Sequence, residues 1–165
     1  MARRRLVPAA RYASIYFNLL IDSMTKPIAQ IVMVKVADSV DIGAIDDVAA
    51  AAMKRDAGPI RLPEGIPGAN GFGLLHLQSN ASRMEQIKGL GFSNAIDFVV
   101  GIAVNWEEIR EGNNGRLILI RPYKAYGLRG VVEWTQHNGT GCWSLTTAIP
   151  GRMRGPENVL FKREK

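Results

Sequence analysis

The chain has few of the residues that most often build metal, redox or disulfide sites. Its 165 residues include one cysteine, Cys142, and two histidines, His76 and His137. A single cysteine excludes an internal disulfide framework and disfavours a cysteine-based metal site, so we expect no metal and no cofactor. No apolar run approaches the roughly 20 residues that span a membrane, and we expect no membrane association.

The N-terminal stretch also lacks the pattern of a secretory signal. Charged and polar residues such as Arg11 interrupt its apolar part, and it has no A-x-A cleavage site. The hydrophobic fraction of 47% is enough to fill one core. We therefore predict an N-terminal arm or linker stub over residues 1–26, one domain over 27–155, and a basic C-terminal tail over 156–165.

Acidic residues are scarce in the last third of the chain. The net charge of +6 arises entirely from residue 116 onward, where nine Lys or Arg stand against three Asp or Glu. A basic region of this kind favours a polyanionic partner, with nucleic acid the first candidate. A solvated tail at 162–165 explains part of the excess. Such a tail does not account for four other basic residues, Arg116, Arg121, Lys124 and Arg129.

The first part of the chain has mainly helical patterns. Residues 27–37 are β-branched and apolar and predict a strand, whereas 41–58 predict a helix with acidic residues at its start. A short strand at 60–62 and a loop rich in Gly and Pro follow. Apolar residues at helical spacing then predict one helix over 74–88 and another over 93–104.

The second part of the chain alternates between apolar and polar residues. Asn114-Gly115 has the composition of a type I′ hairpin turn, and a second turn is expected in the segment HNGTG. Helices that precede strands predict an α+β fold, with N-terminal helices packed on one face of an antiparallel meander of about four strands. The predicted strands are 107–111, 116–122, 130–136 and 142–148.

The second face of such a sheet is open to a substrate, and its residues suit RNA cleavage. A base removes the ribose 2′-OH proton, an acid protonates the departing 5′ oxygen, and cationic or hydroxyl groups stabilise the phosphorane. Histidine suits proton transfer near neutral pH, and His76 precedes the sheet. The strand residues expected on this face are Arg116, Arg121, Glu133, Ser144, Thr146 and Thr147.

Each of these residues also has a structural interpretation. A histidine flanked by leucines often lies in a core with a satisfied hydrogen bond, and His137 has the setting of an exposed turn residue. Arg121 precedes Pro122 and suits a solvated strand end. The threonines are good strand formers, and Glu133 suits an ordinary cross-strand ion pair.

From Gly58 onward the chain resembles the barnase–EndoU–colicin–RelE-like superfamily of endoribonuclease toxins, in particular its phage-associated barnase-like branches. The residues that carry the resemblance are GPIRLPEG, GFGLLHL, GFSNAIDFVVGIAVNWEEIREGNNGRLILIR and VVEWTQHNGTGCWSLTTAIP. The resemblance implies that His76 is catalytic as general acid or base, that Arg121 or Arg116 clamps the phosphate, and that Thr146 or Thr147 supplies a hydroxyl. Arg83 and Lys124 are the further basic residues expected to bind RNA.

The sequence therefore predicts a metal-independent endoribonuclease toxin that acts in the bacterial cytoplasm, delivered in some cases as part of a larger phage or secreted protein. Its catalytic residues would be His76, Arg121 and Thr146. An acidic immunity protein or antitoxin would complement its basic face. Two alternatives stay open: a non-catalytic nucleic-acid-binding protein that uses the same face, and a phage structural or interaction module.

Overall fold

The computed structural model describes residues 31–124, 126–151 and 158–164, and these described residues form one compact unit. Seven strands and four α-helices lie in the described residues. The strands are β1 (Asp41–Ile45), β2 (Gly58–Arg61), β3 (Glu108–Glu111), β4 (Leu117–Tyr123), β5 (Tyr126–His137), β6 (Thr140–Gly151) and β7 (Val159–Lys162). The helices are α1 (Asp47–Met53), α2 (Gly73–Gln78), α3 (Ala81–Gly89) and α4 (Ala95–Asn105).

All seven strands belong to one sheet, which curls into a half-barrel. Their order is β1-β2-β6-β5-β4-β3-β7. Strand β2 runs parallel to β6, and the other neighbouring pairs are antiparallel. The parallel contact is short, since β2 pairs with β6 only at Ile60–Trp143 and Arg61–Ser144. Helices α2 and α3 also contact β6, and Arg83 of α3 reaches Thr147, beyond the residues of β6 that pair with β2.

Both predicted hairpin turns are confirmed, because their Asn-Gly pairs adopt the left-handed conformation that type I′ requires. Asn114 and Gly115 have φ of 58° and 77°, and the Arg116 N–H donates to the Asn113 carbonyl at 3.3 Å. Asn138 and Gly139 have φ of 53° and 75° between the end of β5 and the start of β6. These turns fix the register of the long antiparallel hairpins.

The core lies between the sheet and helix α4. Phe98, Val99 and Ile102 of α4 are fully buried, and strands β4, β5 and β6 contribute Leu119, Val132 and Leu145. The face of the sheet that meets these side chains is called the covered face below, and its opposite the open face. Burying such aliphatic and aromatic side chains supplies most of the stabilising free energy, about 1.5–3 kcal/mol each.

The expected fold, helices on one face of a four-strand meander, is wrong. Three further strands extend the meander: β2 and β1 join beyond β6, and β7 joins beyond β3. The start of the segment predicted as a helix over 41–58 is strand β1, which pairs with β2. Gly43 makes this possible because β1 crosses α4 so closely that a Cβ there would lie 2.3 Å from the Ala103 carbonyl oxygen. A side chain at that position would keep the strand and the helix apart.

Three other segments also differ from the expectation. Residues 27–30 lie outside the described part, and 31–37 form only isolated bridges, Met33 with Pro63 and Val36 with Ser39. The helix predicted over 74–88 is two helices, since Asn80 caps α3 by accepting from the Arg83 N–H at 3.0 Å. In the segment predicted as a tail, β7 pairs with β3.

Candidate functional site

A cleft of about 390 Å³ opens between helix α2, the loop before it and the open face of the sheet. The loop contributes residues 69–72 and the helix contributes His76. Side chains from β5, β6 and the turn before β4 form the other wall. The sheet residues that matter for the chemistry are Arg116, Glu133, Ser144, Thr146 and Thr147. Five of the six side chains expected on the open face therefore meet His76 at one cleft.

Local sequence explains how α2 reaches the cleft. The first N–H groups of the helix donate to the preceding segment, from Leu74 to the Pro63 carbonyl at 3.0 Å. Gly73 begins the helix with φ of +74°, and a Cβ there would lie 2.4 Å from the same Pro63 oxygen. Leu74 and Leu77 then face the core, so His76 lies on the partly exposed side of the same turn.

The His76 imidazole connects the loop to Arg83. Its Nδ1 lies 2.7 Å from the Gly68 carbonyl oxygen, and its Nε2 lies 3.4 Å from an Arg83 guanidinium nitrogen. The same Arg83 nitrogen donates to the Thr147 hydroxyl at 3.3 Å. Helix α2, helix α3 and strand β6 thus contribute one residue each to a continuous chain of polar contacts beside the cleft.

Arg83 is partly buried and has no carboxylate beside it among the described residues. Burial lowers the pKa of its guanidinium, because the charged form is poorly solvated. No carboxylate in the described part of the chain lies within ion-pair distance of it, and its side-chain partners are a histidine and a threonine. Arg61, Arg110, Arg116 and Arg163, by contrast, each have a carboxylate partner. A half-buried cation of this kind attracts an anion from solution.

A β-bulge brings both threonines of β6 to the cleft. Val131 pairs with Thr147 and Val132 with Leu145, so Thr146 is the additional residue. The Thr146 hydroxyl donates to the Val131 carbonyl at 3.2 Å. The Thr147 hydroxyl instead accepts a hydrogen bond from Arg83. Without the bulge, neighbouring residues would lie on opposite faces of the sheet.

Arg116 and Glu133 form an ion pair at the other wall of the cleft. Arg116 Nε lies 3.0 Å from Glu133 Oε2, and the side chains are 44% and 48% exposed. An exposed pair of this kind contributes little to stability, so either group is free to turn toward a substrate.

Two of the basic residues expected to bind phosphate lie away from this cleft. Arg121 shares the covered face with Leu117 and Leu119, and its guanidinium donates to the Gly101 carbonyl of α4 at 2.9 Å. Lys124 is exposed at the turn between β4 and β5, 5.2 Å from the centre of the Tyr123 ring. The structure therefore does not bring either residue together with His76.

A second polar group, not expected from the sequence, lies on the open face beside Ser144. Arg61 donates to Asp41 at 2.6 Å and to His137 Nδ1 at 3.2 Å. The hydrogen bond that Arg61 donates to Asp41 raises the pKa of Arg61, and burial raises the pKa of the neighbouring Cys142 thiol. Only the three-dimensional pairing of β1, β2 and β6 brings these residues together.

No protein-family model, curated protein or solved structure matches this chain. Among the described residues, no helix is long and apolar enough to cross a membrane. The same residues contain no cluster of three or more His, Cys, Asp or Glu side chains that could hold a metal ion.

Proposed function

We propose that the protein is an endoribonuclease that cleaves RNA by attack of a ribose 2′-OH on the adjacent phosphate, without a metal ion. The observation that carries this proposal is Arg83. Within the described residues it is a half-buried cation without a carboxylate partner, in contact with a histidine and a threonine at the edge of a cleft. A phosphodiester would supply the missing negative charge and would place its oxygens beside the Thr147 hydroxyl.

Besides Arg116, the described residues that line the cleft include two side chains suited to proton transfer, His76 and Glu133. The reaction needs one group to accept the 2′-OH proton and one to donate a proton to the departing 5′ oxygen. Glu133, as a carboxylate paired with Arg116, is suited to accept. When a phosphate takes over the hydrogen bond of Arg83, Nε2 of His76 is released to carry a proton and donate it, and Arg83 stabilises the charge that develops on the phosphorane. The products are a 2′,3′-cyclic phosphate and a free 5′ hydroxyl.

The proposal also covers the family that the protein resembles, its binding partner and its site of action. The resemblance to barnase-like toxins agrees with a histidine on a helix that meets a threonine of a late strand at the cleft. An acidic immunity protein or antitoxin would then block the cleft by supplying the carboxylate that Arg83 lacks. The bacterial cytoplasm is the proposed site of action.

The decisive experiment is cleavage of total RNA in EDTA, followed by sequencing and chemical mapping of the new ends. We expect activity with cyclic phosphate ends. His76→Ala should lower the rate by about 10²–10⁴, the usual loss for a general acid or base. His137→Ala is the matched control, because His137 does not line the cleft. RNA binding without cleavage by the wild-type protein would favour the alternative of a non-catalytic nucleic-acid-binding protein.

A further inference from the structure

Two hydrogen bonds fix Gly68 of the loop against helix α2. Its N–H donates to the Ser79 hydroxyl at 3.2 Å, and its carbonyl accepts from the imidazole of His76 at 2.7 Å. The Ser79 hydroxyl in turn donates to the His76 carbonyl at 2.9 Å. One hydroxyl group therefore links the backbone of His76 to the residue that contacts its ring.

These contacts determine which ring nitrogen of His76 carries a permanent proton. A backbone carbonyl only accepts hydrogen bonds, so Nδ1 must be protonated in both the neutral and the charged ring. In the neutral ring Nε2 is then the unprotonated nitrogen, and it lies 3.4 Å from the Arg83 guanidinium, which only donates. The other tautomer would place a lone pair of Nδ1 against the Gly68 oxygen.

We propose that Ser79 is a positioning residue, which holds Gly68 so that His76 stays in the Nδ1–H tautomer and presents Nε2 to the cleft. The catalytic consequence rests on the proposed ribonuclease function, whereas the tautomer does not.

His137 provides an internal comparison. Its Nδ1 receives a hydrogen bond from Arg61 at 3.2 Å, and a guanidinium only donates. Neutral His137 therefore carries its proton on Nε2, the opposite of His76. Because the chain has only these two histidines, one spectrum of a histidine-labelled sample contains both tautomers.

The test is a long-range ¹H–¹⁵N spectrum of the full chain labelled with ¹⁵N-histidine, recorded where both rings are neutral. We expect the Nδ1–H form for His76 and the Nε2–H form for His137. Ser79→Ala should convert His76 to a mixture and leave His137 unchanged, and Ser79→Thr should restore the single form. Ser82→Ala is the control, since Ser82 is exposed on α3 and makes no side-chain hydrogen bond in the described residues. An Nε2–H form of His76 in the wild type, or an unchanged His76 signal in Ser79→Ala, would overturn the proposal.

A kinetic measurement tests the consequence. Ser79→Ala should lower kcat about threefold to tenfold with little change in KM, because one neutral hydrogen bond changes an equilibrium by about that factor. In a His76→Ala background the same change should have no further effect. Equal losses in both backgrounds would assign Ser79 a purely structural role. Complete absence of cleavage by the wild type would refute the ribonuclease proposal and leave the spectroscopic test standing.

Discussion

Replacing Arg83 with methionine should separate RNA affinity from stability. Methionine keeps the length and the apolar stem of the side chain but removes the charge. Burial lowers the pKa of the Arg83 guanidinium, so in the free protein the charged form is destabilised relative to water. At neutral pH the substitution removes that unfavourable term. We therefore expect Arg83→Met to be at least as stable as the wild type.

RNA binding should respond in the opposite direction. Hydrogen bonds to a charged group are worth about 1.5–3 kcal/mol, which corresponds to a loss of roughly 10-fold to 150-fold in Kd. Loss of one phosphate contact should also reduce the salt dependence by about 0.7 in the slope of log K against log salt for a single strand. Lysine retains the charge but not the forked geometry, so Arg83→Lys should lose less affinity.

Fluorescence anisotropy with a 2′-O-methyl RNA measures the Kd and its salt dependence. Such an RNA binds without being cleaved, because its 2′ oxygen cannot attack the phosphate. The matched control is Arg121→Met, which makes the same chemical change on the covered face, where the guanidinium contacts the Gly101 carbonyl. We expect Arg121→Met to lose stability and to keep its RNA affinity. If Arg83→Met binds within twofold of the wild type, or if Arg121→Met loses as much affinity, Arg83 is not the phosphate site.

Two further predictions concern stability. Gly43→Ala should destabilise the protein in urea unfolding by about 1–3 kcal/mol, because its Cβ would overlap the Ala103 carbonyl, whereas Gly89→Ala has open space and should be neutral or stabilising. Equal effects at the two positions would contradict the close approach of β1 to α4. Burial raises the pKa of Cys142, so the folded state favours the neutral thiol. The corresponding stability is complete below the unfolded pKa of about 8.5 and is lost as pH rises from there toward the folded pKa, by at most about 1.4 kcal/mol per pH unit. The Cys142→Ala variant should not show this decrease in the free energy of unfolding. If the free energies of the wild type and the variant change in parallel between pH 7 and 10, the prediction is wrong.

The sequence predicted the parts of the fold that local chemistry decides. Alternating side chains located strands β3 to β6, and the two Asn-Gly pairs located their turns, because few residues other than Asn and Gly readily adopt positive φ. Strand β1 was mistaken for the start of a helix, since its five residues form a strand only by pairing with β2. The break between α2 and α3 had a readable signal, the capping residue Asn80, which the helical spacing concealed.

The site was predictable to a similar extent. Histidine chemistry singled out His76, and the cleft does contain it together with Thr147. Strict alternation places Arg116 and Arg121 on opposite faces, since they are an odd number of residues apart, so both could not face one substrate. The bulge that brings Thr146 and Thr147 to the same side breaks that alternation and left no mark in the sequence. The lack of a carboxylate beside Arg83 depends on tertiary packing alone.

The short parallel contact between β2 and β6 has a consequence for the order of folding. The hairpins of β3 to β6 close small loops and can form early, whereas the pairing of Ile60 with Trp143 joins residues separated by most of the described chain. Closing so long a loop is entropically costly and slow, and it follows the local contacts. His76 belongs to the early part of the sequence and Thr147 to the late part, so the cleft also depends on a contact of this long-range kind. A chain interrupted before β6 is therefore expected to have no cleft.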